Sequence, residues 1–155
     1  MASFASTPAP SSPLLATLHT SYITNLSKSL SSASSYEGSV TAHLRMSGVY
    51  WSLATMSLLH PRASMNTQMD SPSILTWLWT CYDPNAGGFG GNAGHDAHLL
   101  YTLSALQILA LTGNMADLDK EGRRAAIVKF VEGRIDAETG VVCGDKWGET
   151  DTRFR

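Results

Sequence analysis

Four side chains that can bind metals or transfer protons lie close together in the middle of the sequence. His95, Asp96 and His98 fall within one short stretch, and Cys81 precedes them. Imidazole, thiolate and carboxylate groups are the ligands that zinc takes in proteins, but the chain has no His-Glu-x-x-His spacing here. Asp96 also stands directly before a long apolar run, where an aspartate commonly caps a helix. The spacing therefore favours a helix cap at Asp96 over a metal site.

A glycine-rich segment precedes these residues. Residues 88–93 (GFGGNA) match the Gly-x-Gly-x-x-Gly/Ala pattern of dinucleotide-binding proteins. That pattern requires a β-strand immediately before the glycines. The segment before them is instead predicted to be a helix, so we interpret the glycines as a turn between two helices.

The composition argues against several function classes. The chain has 155 residues, and 43% of them are hydrophobic, which is enough for one domain with a core. Its net charge of −2 gives no electrostatic case for a nucleic-acid partner or an anionic membrane. Charged residues make up only 15%, against about 25% in an average soluble domain. We therefore expect part of the surface to be covered by a partner or by further sequence.

The remaining compositional features indicate a cytoplasmic location. Cys81 and Cys143 lie far apart and form no Cys-x-x-Cys pair, so neither a disulfide framework nor a zinc finger is expected. We interpret both as reduced thiols. The sequence has no run of about 18 apolar residues, so it predicts no transmembrane helix. The amino terminus also lacks the basic start and apolar run of a signal peptide.

Apolar residues spaced three and four apart predict an all-α chain. The predicted helices cover residues 14–30, 42–59, 71–82, 97–112 and 119–133. A polar linker at 31–39 and glycine-containing loops at 83–96 and 136–149 separate them, and no stretch predicts a strand of convincing length. Residues 1–13 are small, polar and proline-rich, so we predict a disordered leader there and a folded domain over 14–155.

Particular residues mark where these helices begin and end. Thr41, Asp96 and Asp119 are the predicted N-caps, and Ser71 followed by a proline marks a further helix start. Gly113 is predicted to end the helix over 97–112. The inner face of the last helix is predicted to carry three apolar side chains at helical spacing, Ile127, Val128 and Val131.

The sequence repeats itself at an offset of about 53 residues. Asp83 aligns with Asp136 (136 − 83 = 53), and the same offset takes Gly87 to Gly140. A further copy aligns 43–46 with 98–101 at an offset of 55 (98 − 43). Mostly apolar helices thus alternate with amphipathic ones, which predicts helical hairpins that stack into a solenoid or close into a two-layered ring. The repeat breaks off in its last copy, so we expect this chain to be a fragment of a longer protein.

A polar cluster lies at the start of that last copy. It consists of Asp145, Glu149, Asp151 and Arg153. Such clusters are usually solvated or paired among themselves at a helix cap. Arg153 falls in the first turn of a predicted inner helix, so we expect this member of the cluster to face a cavity.

Three long segments, in order, resemble one enzyme family. They are residues 43–51 (HLRMSGVYW), 94–104 (GHDAHLLYTLS) and 144–154 (GDKWGETDTRF). They resemble the β subunits of type II protein geranylgeranyltransferases, the enzymes that prenylate Rab proteins. The likeness extends from about residue 18 to residue 154. It implies a partial α/α barrel of repeated helical hairpins, which agrees with the repeat.

The resemblance implies a cytosolic enzyme subunit that works with a prenyltransferase α subunit and an escort protein that presents the Rab. Such an enzyme transfers a geranylgeranyl group from geranylgeranyl diphosphate to C-terminal cysteine thiols, with a zinc ion activating the thiolate. The family's zinc ligands, an Asp-x-Cys pair and a later His, are expected beyond Arg155. Neither Cys81 nor Cys143 matches a ligand position. The resemblance thus implies no catalytic residue and no metal ligand in this chain, which we expect to be inactive alone.

Part of the family's isoprenoid pocket is expected within this chain. The resemblance assigns Ser47, Trp51 and Leu103 to this pocket on inner helices, with Arg153 at the cavity wall. The pocket is therefore expected to be built from segments that lie far apart in the sequence.

Two other function classes remain open from the sequence. A non-catalytic helical-repeat binding module is compatible with the expected lack of zinc ligands. A terpene cyclase on a related barrel is suggested by the turn from Asp83 to Phe89. That cyclase needs an aspartate-rich acid motif, which is not visible in this sequence.

Overall fold

Helices dominate the computed structural model, which describes residues 13–31 and 35–154. These residues form seven α-helices: α1 Pro13–Ser31, α2 Tyr36–Val40, α3 Arg45–Leu59, α4 Arg62–Gln68, α5 Ser71–Thr80, α6 Leu99–Thr112 and α7 Arg123–Glu132. They also form two 3-10 segments, Ala42–Leu44 and Met115–Gly122, and one antiparallel pair of two-residue strands, β1 Tyr82–Asp83 and β2 Gly88–Phe89. The predicted all-α class is confirmed.

Two mostly apolar helices, α3 and α6, pack against each other at the centre of the fold. Burying a large apolar side chain stabilises a fold by about 1.5–3 kcal/mol. The largest side chains without solvent exposure come mainly from helices α3 to α6 and from β2: Phe89, Met46, Leu53, Met56, Met65, Leu78, Ile108 and Leu109. The core therefore fixes α3 and α6 side by side, which is the arrangement that the site depends on.

The glycine segment after α5 forms a tight turn that is held by Asp83. Its Oδ1 accepts hydrogen bonds from the backbone N–H groups of Asn85 at 2.9 Å and Ala86 at 3.2 Å. Gly87 then takes a φ of 80° and donates its N–H to the Asp83 carbonyl at 2.8 Å. A side chain at Gly87 would meet the carbonyl oxygen of Ala126, so only glycine fits at this position.

The same turn recurs 53 residues later, as the sequence repeat predicts. Oδ1 of Asp136 accepts hydrogen bonds from the backbone N–H groups of Glu138 at 3.1 Å and Thr139 at 2.7 Å. Gly140 has a φ of 71° and donates to the Asp136 carbonyl at 2.8 Å. A single β-bridge between Ile135 and Val142 occupies the position that is equivalent to the pairing of β1 with β2 in the first copy. Both copies are therefore built from the same backbone contacts.

Each glycine turn is joined to the start of the central helix that precedes it. The N–H of Met46 donates to the carbonyl oxygen of Gly91 at 3.0 Å, and the N–H of Leu99 donates to that of Gly144 at 2.7 Å. The two bonds are related by the same offset of 53 residues (99 − 46 and 144 − 91). Neither glycine has room for a side chain. A Cβ on Gly91 would collide with the carbonyl oxygen of His43, and a Cβ on Gly144 would collide with the imidazole of His98.

Two of the predicted N-caps, Asp96 and Asp119, do not cap helices, and each forms an ion pair instead. Helix α6 begins at Leu99 rather than Ala97, and its N-cap is His98, whose Nδ1 accepts the N–H of Leu100 at 3.1 Å. Asp96 instead forms an ion pair with Lys146 of the second loop, at 2.9 Å. The predicted end of this helix at Gly113 is confirmed, with a left-handed φ of 87°.

The helix predicted over 119–133 divides into two pieces. A 3-10 segment ends at Gly122, and α7 starts at Arg123 without a side-chain cap, while Asp119 pairs with Arg124 at 2.8 Å. Val128, which was predicted to face inward, is 52% exposed, whereas Phe130 is buried against the first glycine turn. Apolar spacing within one helix does not show which side chain a neighbouring loop will cover.

The other predicted boundaries need smaller changes. The helix predicted over 42–59 opens with three 3-10 residues. Thr41 occupies the N-cap position as predicted, but its side chain makes no capping hydrogen bond and donates its hydroxyl to the Glu37 carbonyl. Within the predicted linker, Ser35 caps the short helix α2, while residues 32–34 lie outside the described residues. Helix α4 was not predicted. Of the disordered leader predicted over 1–13, residues 1–12 lie outside the described ranges, and the prediction is wrong for Pro13, which begins α1.

The sequence predicts no helix that could cross a membrane. None of the helices in the described part of the chain is long and apolar enough to cross a bilayer.

Candidate functional site

A largely apolar cavity of about 650 Å³ lies beside α3 and α6 and reaches the end of α1. Ser47, Trp51, Leu103 and Arg153 all line it. The structure therefore brings together four residues from three distant segments, the same four that the family resemblance assigned to one pocket. Its volume falls within the range of about 300–1,000 Å³ that is usual for small-molecule sites.

Two large apolar side chains form exposed parts of the cavity wall. Trp51 is 65% exposed and Leu103 is 52% exposed, although both belong to the central helices. The indole of Trp51 contacts the ring of Tyr50, with the ring centroids 5.0 Å apart. Exposed apolar surface that lines a concavity is typical of a site for an apolar ligand.

Ser47 and Gly48 keep the wall of α3 open between its first turn and Trp51. Both line the cavity, and nothing lies within 4 Å of the position that a Cβ on Gly48 would take. Because Ser47 stands one helical turn before Trp51, their side chains share a face of α3. The space beside the indole therefore depends on the small size of Ser47 and Gly48.

Sequence reasoning missed a polar pair farther along the cavity. The amide Nε2 of Gln107 donates to the hydroxyl oxygen of Tyr50 at 3.2 Å, which links α6 to α3. Both residues line the cavity, as does Leu100. Leu100, Leu103 and Gln107 follow helical spacing on one face of α6, so extending the predicted face by one turn in each direction would have found them.

Arg153 lines the cavity while it is paired to a carboxylate. Its Nε and Nη2 donate to the two carboxylate oxygens of Asp151, at 2.9 and 2.7 Å. The hydrogen bond from Arg153 lowers the pKa of Asp151 to about 2, and the same bond raises the pKa of Arg153. Oδ1 of Asp151 also accepts the backbone N–H of Arg153 at 2.8 Å, so the two residues pair as predicted. They do so in a turn, because residues 151–154 form no helix, and the prediction that Arg153 begins an inner helix is not met in the described residues. The guanidinium thus presents a largely neutralised charge to the cavity.

Of the residues that first suggested metal chemistry, Asp96 and His98 are engaged elsewhere and Cys81 is buried. His98 uses Nδ1 as a helix cap and Nε2 in a contact with Glu149, and Asp96 is paired with Lys146, whose hydrogen bond lowers the pKa of that carboxyl. Burial raises the pKa of Cys81 to about 11, the opposite of what a zinc-bound thiolate requires. Within 13–31 and 35–154, no three His, Cys, Asp or Glu side chains are placed to hold one metal ion. These residues do not fit a zinc site.

Comparison with known proteins identifies the family. The model of the prenyltransferase alpha-alpha toroid domain matches residues 14–155. The geranylgeranyl transferase type-2 subunit beta of Saccharomyces cerevisiae is 35% identical over 147 residues, which cover 91% of this chain and 41% of the yeast protein.

Two further relatives are more similar over shorter stretches. The geranylgeranyl transferase type-2 subunit beta 1 of Arabidopsis thaliana is 44% identical over 97 residues, covering 63% of this chain and 28% of the plant protein. A probable geranylgeranyl transferase type-2 subunit beta from Dictyostelium discoideum is 46% identical over 96 residues, covering 62% of this chain and 26% of that protein. The matched regions thus span well under half the length of these relatives. By the family model, the helical repeat and these relatives, the chain belongs to the prenyltransferase alpha-alpha toroid family and is similar to type-2 geranylgeranyl transferase β subunits.

Proposed function

We propose that this chain contributes the isoprenoid-binding wall of a Rab geranylgeranyltransferase β subunit. In this proposal the enzyme transfers geranylgeranyl from its diphosphate to C-terminal cysteines of Rab proteins. The single observation that best supports it is the apolar cavity lined jointly by Ser47, Trp51, Leu103 and Arg153. The similarity to type-2 β subunits supports the same function.

The cavity suits a long hydrocarbon chain on simple energetic grounds. Each CH₂ group that leaves water contributes about 0.8 kcal/mol. The indole of Trp51 and the side chain of Leu103 supply apolar surface that is exposed without a ligand, so a bound isoprenoid would cover it. The Arg153–Asp151 pair keeps a polar group at the wall without adding an unpaired charge. An uncharged chain of isoprene units is therefore the ligand that we assign to this surface.

The partners and location are part of the same proposal. A prenyltransferase α subunit, a Rab protein and its escort protein would meet this chain in the cytoplasm. The family implies zinc, but the described residues do not fit it, and we assign no step to a metal here. We therefore infer that this chain alone binds the isoprenoid diphosphate and does not transfer it.

Tryptophan fluorescence tests the binding proposal directly. Titrating geranylgeranyl diphosphate into the purified chain should change the emission, and Trp51→Phe should abolish most of that change. Trp147 is 77% exposed and does not line the cavity, so Trp147→Phe is the matched control and should retain the change. A folded chain that binds neither geranylgeranyl diphosphate nor the parent alcohol would reject the proposal in favour of a non-catalytic binding module.

A transfer assay tests the inference of inactivity. The chain is incubated with radiolabelled geranylgeranyl diphosphate, zinc, a Rab and its escort protein, with a complete type-2 transferase as the positive control. We expect labelled Rab only in the control. Labelling by this chain alone would show that the metal site has been missed.

A further inference from the structure

The apolar cavity contains three hydrogen-bonding side chains that the proposed function does not use. They are Tyr50 on α3 and Ser104 and Gln107 on α6, and all three line the cavity. Ser104 and Gln107 stand three residues apart on one helix, so their side chains share a face. The Gln107 amide reaches the Tyr50 hydroxyl at 3.2 Å across the space between the two helices. The three residues form a polar patch in a cavity that Trp51 and Leu103 otherwise make apolar.

Ser104 is the most informative member of the polar patch. Its side chain is only 3% exposed, and within the described ranges its hydroxyl has no hydrogen-bond partner. A serine or threonine inside a helix often donates to the carbonyl oxygen four residues earlier, as Thr112 of the same helix does to Ile108 at 2.8 Å. A buried hydroxyl without a partner is costly. The position of Ser104 at the cavity therefore favours a ligand that supplies the missing hydrogen bond.

Tyr50 and Gln107 also have unused hydrogen-bonding capacity. The Tyr50 hydroxyl oxygen accepts the Gln107 N–H, which leaves the O–H of Tyr50 free to donate. The Gln107 amide retains its carbonyl oxygen and a second N–H. No other hydrogen bond joins either side chain to the part of the chain that the structure describes. The polar patch can therefore both donate to a ligand group and accept from it.

The charges at the cavity lie outside the polar patch. Among the described residues, Arg45 and Arg153 are the charged ones that line the cavity. The Arg153 guanidinium is paired with Asp151, and the guanidinium carbon of Arg45 lies over the ring of Trp77, 4.6 Å from its centroid. The patch itself consists of hydroxyl and amide groups. Such groups suit a neutral hydroxyl better than an anion, which is bound most strongly by charged donors.

A plain hydrocarbon chain would leave the polar patch unsatisfied. When such a chain fills the cavity it displaces water from the patch and offers neither a donor nor an acceptor in return. A hydroxyl group on the chain has one O–H donor and two acceptor lone pairs, so it can replace the displaced water.

We propose that Tyr50, Ser104 and Gln107 form a hydrogen-bonding subsite inside the cavity, and that this subsite binds a hydroxyl group carried by a long apolar ligand. The subsite follows from the positions of the three side chains. Only the nature of the chain rests on the proposed transferase function, under which the cavity accepts a hydroxylated geranylgeranyl group as well as the unsubstituted one.

Two probes of equal length, 1-octanol and 1-fluorooctane, test the subsite without an isoprenoid. They differ at one end, where fluorine replaces the hydroxyl group and is a poor hydrogen-bonding substitute for it. Displacement of a fluorescent apolar dye from the purified chain gives both dissociation constants. The measured quantity is the ratio of the 1-fluorooctane constant to the 1-octanol constant, because general effects of a mutation on packing cancel in it.

Three variants each remove one polar group and keep most of the side-chain volume: Tyr50→Phe, Ser104→Ala and Gln107→Met. Each should lower the ratio about threefold to tenfold, because 1-octanol loses a hydrogen bond and 1-fluorooctane no longer leaves a polar group without water. Gln68→Met is the matched control, since Gln68 is exposed, bonds to Ser64 and lies outside the cavity lining. It should leave the ratio within about twofold of the wild-type value. Circular dichroism checks that each variant is folded.

Two results would overturn the subsite. One is a ratio that the folded patch variants change no more than the Gln68→Met control does, which would mean that the Tyr50–Gln107 bond and water satisfy the polar patch. The other is a failure of 1-octanol to displace the dye from the wild-type chain.

Isoprenoids then test the nature of the chain. Under the transferase proposal, geranylgeranyl diphosphate with a hydroxyl on its terminal isoprene unit should bind within about threefold of the plain diphosphate, and Gln107→Met should weaken it about threefold to tenfold relative to the plain one. If the hydroxylated form binds far more weakly than the plain one, the isoprenoid does not reach the subsite. Failure of both diphosphates to bind would reject the transferase proposal, while the two octyl probes still decide the subsite.

Discussion

The Nε2 of His98 lies 3.0 Å from Oε2 of Glu149, across the boundary between two copies of the helical repeat. Nδ1 of the same ring accepts the N–H of Leu100, so in the neutral imidazole the proton is on Nε2 and is donated to Glu149. The ring also packs between Tyr101 and Phe154, with centroids 5.3 and 5.8 Å away. One side chain therefore caps α6 and joins it to the second glycine loop.

These two roles of His98 can be separated by mutation. His98→Ala should lower the free energy of unfolding by about 2 kcal/mol, because it removes both the cap and a hydrogen bond. His98→Asn should cost about half as much, since asparagine is a good N-cap but is too short to reach Glu149. Urea unfolding curves measure both values. Equal losses in the two variants would show that capping contributes nothing here.

Gly91 is predicted to be irreplaceable for steric reasons. A Cβ there would collide with the His43 carbonyl oxygen and lie 3.0 Å from the Tyr101 ring, so Gly91→Ala should destabilise the chain by about 2–4 kcal/mol. Gly48 is the control, because it lies inside α3 with open space around it. Gly48→Ala should instead stabilise the chain by roughly 0.5–1 kcal/mol. Thermal unfolding distinguishes the two, and a neutral Gly91→Ala would contradict the packing described above.

Ser47 is predicted to set the length of isoprenoid that the cavity accepts. Ser47→Trp fills the space beside Trp51 and Leu103, and losing room for one isoprene unit costs a few kcal/mol at about 0.8 kcal/mol per buried CH₂. The preference should therefore shift from geranylgeranyl to farnesyl diphosphate, as measured by competition binding. Thr55→Trp is the control, since Thr55 lies on the same helix outside the cavity lining. An unchanged preference in a folded Ser47→Trp variant would remove Ser47 from the site.

The Asp151 carboxylate is predicted to contribute to stability at neutral pH and to lose this contribution in acid. Its pKa is about 2 in the folded chain, against an ordinary value of 3.8, mainly because of the hydrogen bond from Arg153. A lowered pKa means that this contribution is complete above pH 3.8 and is lost as the pH falls towards 2. Carboxyl-carbon NMR should give a midpoint near 2 that rises in Arg153→Gln. A wild-type midpoint near 3.8 would mean that the pair is open in solution.

The repeat explains why much of this structure could be predicted from the sequence. The match of Asp83 to Asp136 indicated two equivalent turns, and the structure gives both aspartates the same hydrogen bonds. Ser47 and Trp51 share a helix face by spacing alone. Their proximity to Leu103 and Arg153 came from the family resemblance, because a single sequence does not specify how helices are arranged in space.

The error at Asp96 arose because a residue from one copy of the repeat contacts another copy, whereas Asp119 pairs with the nearby Arg124. Asp96 is chemically a good cap, but Lys146 lies close enough to bind it, and His98 takes the capping position instead. The Tyr50–Gln107 bond and the stacking of Arg45 on Trp77 likewise join different helices. Local propensity does not contain that information, so such contacts are found only once the chain is folded.

The bond between the Leu99 N–H and the Gly144 carbonyl also has a consequence during synthesis. It joins residues 45 positions apart (144 − 99), and the Met46–Gly91 bond spans the same separation (91 − 46). At roughly 5–20 residues per second, a ribosome needs about 2–9 seconds to add that much chain. For this interval the start of each central helix has an unsatisfied amide and lacks its glycine turn. Nascent chains that stop between residues 113 and 143 should therefore exchange the Leu99 amide quickly, and those that continue past the second turn should protect it.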